Sequence, residues 1–232
     1  MPQTLSPIKI FDDEEHKVVS IKNGRWRQNA YIVQHVSSGA IVLVDPGGEF
    51  GVICDQVSRL QGTPQLVILT HAHFDHVGSV GELVKFYKVP LHMHNGDARL
   101  LRRAPLFALS FERKVITVSD TFIPLCGNPL DWSGQPINII DTPGHTNGSV
   151  CFEIGDLCFT GDTLMKRIVG RTDLPGSSTD DLKRSIDLLL ATVPSTGLLF
   201  PGHGDPWPVM EARGWWAEKH DNPPEYAMEG AF

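Results

Sequence analysis

An α/β fold built as one large domain is what this chain predicts, and three observations carry that expectation. Short, β-branched apolar runs alternate with segments whose apolar residues recur at helical spacing, the rhythm of βαβ units. The runs nearest the start instead follow one another through tight turns, so an antiparallel meander opens the fold. The 232 residues suffice for one substantial core, and no Pro/Gly/Ser-rich linker, charge run or solenoid-period repeat divides them.

The meander is expected as strands at 18–22, 30–36 and 40–44, the last two joined by Ser37-Ser38-Gly39. After Asp45-Pro46-Gly47-Gly48, helical spacing of Val52, Ile53, Val57 and Leu60 predicts a helix over 49–60 that stops at Gly62. Leu66-Val67-Ile68-Leu69 reads as a buried strand, and a helix at 79–87 with a strand at 89–93 completes a βαβ unit. Between Asn95 and about Gly134, Pro105, Pro124 and Pro129 interrupt every candidate element, so the segment 95–134 is expected to be an insertion with one short helix. Strands resume at 137–140, 149–154 and 157–160, the last two linked by Gly155-Asp156. A helix over 179–190 starts at Ser178 or Thr179 as N-cap, with Asp180 and Asp181 in its first turn. Leu198-Leu199-Phe200 is the closing strand, and a short tail, 204–232, carries Trp207, Trp215 and Trp216.

Composition narrows the function. A net charge of −7 argues against a broad electrostatic footprint for nucleic acid or an anionic membrane. Residues 1–7 lack the charged and apolar stretches of a signal peptide and no run approaches a membrane span, so a cytoplasmic protein is expected. Cys54, Cys126, Cys151 and Cys158 form no CxxC pair. Cys151 and Cys158 flank a hairpin and have the placement for a disulfide, but reduced, packed thiols are the expectation in a cytosolic protein.

The chemistry concentrates in Thr70-His71-Ala72-His73-Phe74-Asp75-His76, directly after the strand 66–69. Imidazole nitrogen and carboxylate oxygen are good ligands for zinc, iron or manganese. Helix-borne zinc motifs place two His at i and i+4; here the spacing is i, i+2 and i+5, so a loop must fold the donors around the ion. Three later strands each end in a further donor: His145 after Thr142-Pro143-Gly144, Asp162 after Gly161, and His203 after Pro201-Gly202. A Gly precedes each and permits a tight backbone path. Seven donors in four strand-end loops make coincidence a poor explanation. His92 and His94 imitate a metal pair by alternating on a strand, but no third donor accompanies them and they read as structural.

The HxHxDH run at 71–76, with the TPGHT, GD and PGHG segments that follow it in order, resembles the metallo-β-lactamase-fold superfamily over most of the chain, from about Asp45 to His203. The resemblance implies a four-layer αβ/βα sandwich of two mixed sheets with a metal site at one edge. It further implies two divalent ions: His71, His73 and His145 on one, Asp75, His76 and His203 on the second, and Asp162 bridging. Zinc is the expected metal, with iron and manganese as alternatives. Two such ions, two aspartates and a bridging hydroxide leave a balance of about +1, which favours an anionic transition state. Asp75 also has the position to orient the attacking water. Asp45 is either an acceptor for a ligand imidazole's other N–H or a turn residue before Pro46.

Within the superfamily, Asp162 rather than Cys or Ser at the bridge argues against the antibiotic-hydrolysing branches, and the nuclease branches' added domain and basic surface are not evident. Gly161-Asp162-Thr163-Leu164 with Val169 to Gly176 looks most like compact bacterial glyoxalase II-like proteins, and the GRTD segment is also similar to persulfide dioxygenases. The first resemblance implies a thioesterase acting on a small-molecule acyl or glutathione-like thioester substrate. The second implies a single ferrous ion on His71, His145 and Asp162. Hydrolysis of a lactone or other acyl substrate and a non-catalytic metal or ligand-sensing role stay open, as does a homodimer. The tail 204–232 is too short for the glutathione-clamping domain of full-length glyoxalase II. Arg171 is the candidate grip for a substrate carboxylate, with a salt bridge to Asp173 as the alternative. Arg99, Arg102 and Arg103, beside Leu100, Leu101, Leu106 and Phe107, fit a substrate lid, a subunit contact or an amphipathic helix with a solvated face.

Overall fold

The computed structural model describes residues 7–226. Its first sheet runs in chain order through β1 (Ile8–Asp12), β2 (His16–Asn23), β3 (Gln28–His35), β4 (Ala40–Val44), β5 (Thr63–Ile68), β6 (Leu91–Met93) and β7 (Ile123–Pro124). The pairs from β1 to β4 are antiparallel and those from β4 to β7 parallel, so the meander and the βαβ units share one mixed sheet. The crossovers are α1 (Phe50–Leu60), α2 (Val80–Tyr87) and α3 (Ala98–Glu112). The second sheet contains β8 (Leu130–Trp132), β9 (Gln135–Asp141), β10 (Val150–Ile154) and β11 (Leu157–Gly161). A small hairpin, β12 (Leu164–Met165) with β13 (Ile168–Val169), and α4 (Thr179–Thr192) lead to β14 (Leu198–Pro201), which pairs parallel with β11. β15 (Trp207–Pro208) forms the edge, and α5 (Val209–Lys219) follows.

Strand alternation assigns each side chain to one of three apolar layers. Val19, Ile21, Ile41 and Leu43 point to the helical side, with Ile53 and Val57 of α1, Val80 and Leu83 of α2 and Leu101, Ala104 and Ala108 of α3. Their neighbours Val18, Val42 and Val44 point the other way, against Phe152, Phe159 and Phe200 of the second sheet. Cys151, Cys158 and Leu199 face outward again, onto Leu182, Ile186 and Leu189 of α4 and Ala212 and Trp216 of α5. The result is the α/β, four-layer αβ/βα sandwich of two mixed sheets.

Several boundaries differ from the sequence reading for identifiable reasons. The first helix ends at Gln61, which takes the left-handed position (φ 53°), while Gly62 is required for contact: a Cβ there would lie 2.6 Å from the Gly39 carbonyl oxygen. The segment 95–134 is built into both sheets through β7 and β8, and its helix has 15 residues with Pro105 inside it. Burial of Leu101, Ala104 and Ala108 on the sheet outweighs the hydrogen bond that Pro105 removes. β1, the β12–β13 hairpin and β15 carry too little pattern to be seen in sequence. Ser178 is the N-cap of α4, its hydroxyl accepting from the Asp181 N–H at 3.2 Å. All four cysteines are free thiols. Among the described residues no helix is long and apolar enough to cross a membrane.

Candidate metal centre and cleft

The loop after β5, the turn after β9 and the ends of β11 and β14 meet at one edge of the sandwich. Asp45, at the end of β4 in a left-handed conformation (φ 47°) that Asp tolerates, organises the first loop. Its carboxylate accepts from the Thr70 N–H (2.7 Å), the Thr70 hydroxyl (2.5 Å) and His76 Nδ1 (3.0 Å). Asp45 is thus both the turn residue before Pro46 and an acceptor for the His76 imidazole.

Other rings are tied in the same way. His145 Nδ1 donates to the Arg171 carbonyl at 2.9 Å, His203 Nδ1 to the Trp26 carbonyl at 3.0 Å, and His71 Nδ1 lies 3.1 Å from the Thr70 hydroxyl. With Nδ1 donating, the neutral form of each ring presents the lone pair of Nε2 toward the common centre. His73 is turned around, its Nδ1 2.9 Å from His145 Nε2. The donors form two trios, His71/His73/His145 and Asp75/His76/His203, each with ligand atoms within 4.8 Å of one another; Asp45, His71 and His76 cluster as closely, there with Asp45 accepting from His76 Nδ1. Asp162 spans them: Oδ1 is 3.5 Å from His76 Nε2, and Oδ2 is 3.6 Å from both His145 Nε2 and His203 Nε2.

The donor set fits metal ions. His71 Nε2, His76 Nε2 and Asp162 Oδ1 are buried with no hydrogen-bond partner, a costly state unless a cation satisfies them. Two ligands of one tetrahedral ion at about 2.0 Å stand about 3.3 Å apart, comparable with the 2.9–3.9 Å separations here. Gly202 is needed for this closeness, because a Cβ would collide with Asp162 Oδ1 and sit 2.7 Å from His76 Cε1.

Burial, aided by the neighbouring rings, pushes His71 well below the ordinary histidine range, His73 down to about 3 and His145 lower as well. Burial acts likewise on His76 and His203, but the Asp162 and Asp75 carboxylates overcome it, lifting His76 to about 9 and raising His203. Despite their own burial, Asp75 and Asp162 are held below the usual carboxylate range by these imidazoles.

Two residues at the centre escaped sequence reasoning. Asp97, fully buried, accepts from the Ala72 N–H and the Thr146 hydroxyl on Oδ2 and from the Gly148 N–H on Oδ1, all at 2.9 Å, so it clamps the His71–His73 loop to the His145 loop. Nothing local marks an acid after Asn95-Gly96 as a clamp; its partners lie 25 and about 50 residues away. Tyr226 stacks on His203 with ring centroids 4.8 Å apart, brought there by an extended tail segment in which the Tyr226 N–H donates to the Val169 carbonyl.

The remaining candidates lie elsewhere. The strand β6 ends at Met93, and His94 caps the following 3-10 turn by accepting the Gly96 N–H, so His92 and His94 do not share one strand face. Arg171 forms a two-pronged pair with Asp173 (2.6 and 2.7 Å), the salt-bridge alternative. It still borders a cleft of about 620 Å³ floored by His73, Asp75 and His145, with α3 as one wall and residues 171–176 as the other.

Comparison with known proteins agrees with this architecture. The model of the metallo-beta-lactamase superfamily matches residues 23–203. An uncharacterized protein of Mycobacterium tuberculosis is 36% identical over 76% of this chain and 86% of its own length. The probable metallo-hydrolase YqgX of Bacillus subtilis is 31% identical over 81% of this chain and 90% of its own. The probable polyketide biosynthesis zinc-dependent hydrolase BaeB of Bacillus velezensis is 30% identical, covering 82% and 80%. Among solved structures, TTHA1623 in a di-iron-bound form superposes with a TM-score of 0.76 at 32% identity, over 85% of this chain and 96% of that one.

Proposed function

Because the chain belongs to the metallo-beta-lactamase superfamily, we propose that it is a metal-dependent hydrolase whose substrate is a small acyl thioester of the glyoxalase II kind. The observation that carries this reading is the completeness of both donor trios around a shared Asp162. His71, His73 and His145 would hold one divalent cation and Asp75, His76 and His203 the other, with Asp162 placed to be shared between them; zinc is the metal proposed, with iron and manganese decided by analysis. Bound cations of this kind supply a water of lowered pKa and polarise a carbonyl.

The protein's own groups do the rest. Asp45, Thr70 and the carbonyls of Trp26 and Arg171 hold the imidazoles in the tautomer that presents Nε2. Asp75, which borders the cleft, orients the attacking water. The water oxygen forms a C–O bond to the carbonyl carbon and gives up a proton, the C–S bond breaks, and the thiolate leaves with the electron pair and takes up that proton. The named hydrolases of Bacillus subtilis and Bacillus velezensis support hydrolysis as the reaction class.

Metal analysis of anaerobically purified protein, coupled to thioester hydrolysis and to oxygen uptake with glutathione persulfide, tests the reading. Two ions per chain with thioester turnover is the expected result. One iron with persulfide-dependent oxygen uptake would replace it with the dioxygenase, a preference for lactones would move the substrate class, and no turnover on a broad acyl panel would point to a non-catalytic role.

A further inference from the structure

One stripe of α3 divides sharply in chemistry. Arg99, Arg103, Phe107 and Phe111 are each four residues apart, lie on one helix face, and all border the cleft. The stripe is about 18 Å long, guanidinium at one end and benzyl at the other. Arg99 and Arg103 are exposed, and neither makes a hydrogen bond or ion pair among the described residues. They form a local positive end on a chain of net charge −7. At the other end the rings continue into the floor: Phe107 stacks with Phe111 (6.3 Å), Phe111 with Phe74 (5.8 Å), and Phe74 meets Trp26 edge-on at 4.9 Å. Phe74 sits between His73 and Asp75, so the aromatic wall begins at the donor cluster itself.

A lone exposed Arg or Phe needs no ligand to explain it. Here the two guanidiniums and the ring wall, with Leu100 beside them, line the same cleft, while Arg102 of the same helix does not border it. The volume of about 620 Å³ suits a ligand of several functional groups. We infer that this cleft is a two-ended subsite for an amphipathic acyl thioester: an apolar segment lies on Phe107, Phe111, Phe74 and Trp26, and a separate oxyanion, carboxylate or phosphate, is gripped by Arg99 and Arg103. The inference rests on the thioester reading above and names the substrate class for it. Guanidinium forks pair with either oxyanion in two-pronged fashion.

Calorimetric titration of the metal-loaded full chain with non-hydrolysable thioethers tests it. S-octylglutathione supplies carboxylates and S-octyl-4′-phosphopantetheine a phosphate; S-methylglutathione lacks the apolar end and S-octyl-N-acetylcysteamine the charged one. At least one charged octyl ligand should bind about tenfold or more tighter than either ligand lacking an end. The double variant R99Q/R103Q should lose about tenfold on that ligand and nothing on the neutral one. Phe111→Ala, at a half-exposed position, should shrink the chain-length preference several-fold without changing S-methylglutathione binding, and Arg102→Gln should change neither. Whichever oxyanion shows the larger dependence on Arg99 and Arg103 identifies the source. Unchanged binding in R99Q/R103Q, an equal loss in Arg102→Gln, or no binding of any thioether overturns the subsite. Because thioethers are not turned over, normal binding without thioester hydrolysis sinks only the catalytic reading. Hydrolysis with arginine-independent binding sinks only the subsite.

Discussion

The two donor trios lie side by side but hold different charge before a cation reaches them. His71, His73 and His145 form an all-imidazole set that burial and mutual repulsion keep neutral, with His73 down at about 3. In the second trio the carboxylates of Asp75 and Asp162 pull protons onto their neighbours, and His76 rises to about 9. The first trio therefore presents free lone pairs at pH 7, whereas the second must release protons to bind metal. Both trios gather their ligand atoms within 4.8 Å; their electrostatics differ.

The bridge is where the comparison breaks most completely. Asp162→Ala should strip metal from both trios and lower thioester turnover by about a thousandfold or more, scored by metal content and steady-state rates. Retention of two ions would show that Asp162 is not shared. His145→Ala should likewise remove activity and deplete metal. His203→Ala should empty the second trio while the first keeps its ion, with turnover down about a hundredfold; loss of both ions would show that the trios load as one unit.

Smaller effects separate the frame from the trios. Asp97→Asn places an amide N–H₂ against the Ala72 or Gly148 N–H, leaving a buried donor unpaired, and should cost about 1–3 kcal/mol, or roughly 3–10 °C in Tm. A thermal shift of that size with metal content preserved would place its effect in the loop clamp. The pH dependence has a defined sign. The folded pKa of His76 is raised above its unfolded value, so in metal-free protein its stabilisation is complete below about 6.5 and lost as pH rises through about 9, by roughly 3 kcal/mol. Metal-loaded protein should show no such loss in that window, since His76 is then a neutral ligand. Denaturant midpoints at pH 6.5, 8 and 9.5 with and without metal check this; identical profiles would remove the asymmetry. His94→Ala, whose ring only caps a turn, should leave metal content unchanged.

Local chemistry made much of this molecule legible. Alternation in β2, β3 and β4 and the helical spacing of α1 depend on side chains within a few residues of one another, so their class follows from pattern alone. α3 did not follow, because Pro105 breaks the local rule and only burial of Leu101, Ala104 and Ala108 against the first sheet sustains the helix. β7 and β15, two residues each, are strands only by virtue of their partners β6 and β14.

The same division holds at the site. From sequence alone came seven candidate donors, their delivery at strand ends and the glycines that let the backbone approach, because metal chemistry restricts residue type and a strand's end restricts position. Tertiary packing alone decided that Asp162 lies between the trios, its Oδ2 equally near His145 and His203 and its Oδ1 near His76, that Asp97 ties two loops, that Tyr226 covers His203, and that Arg171 is spent on Asp173 while Arg99 and Arg103 border the cleft. Those contacts join residues far apart in the chain, and their direction is set by how the layers close. No local propensity encodes it.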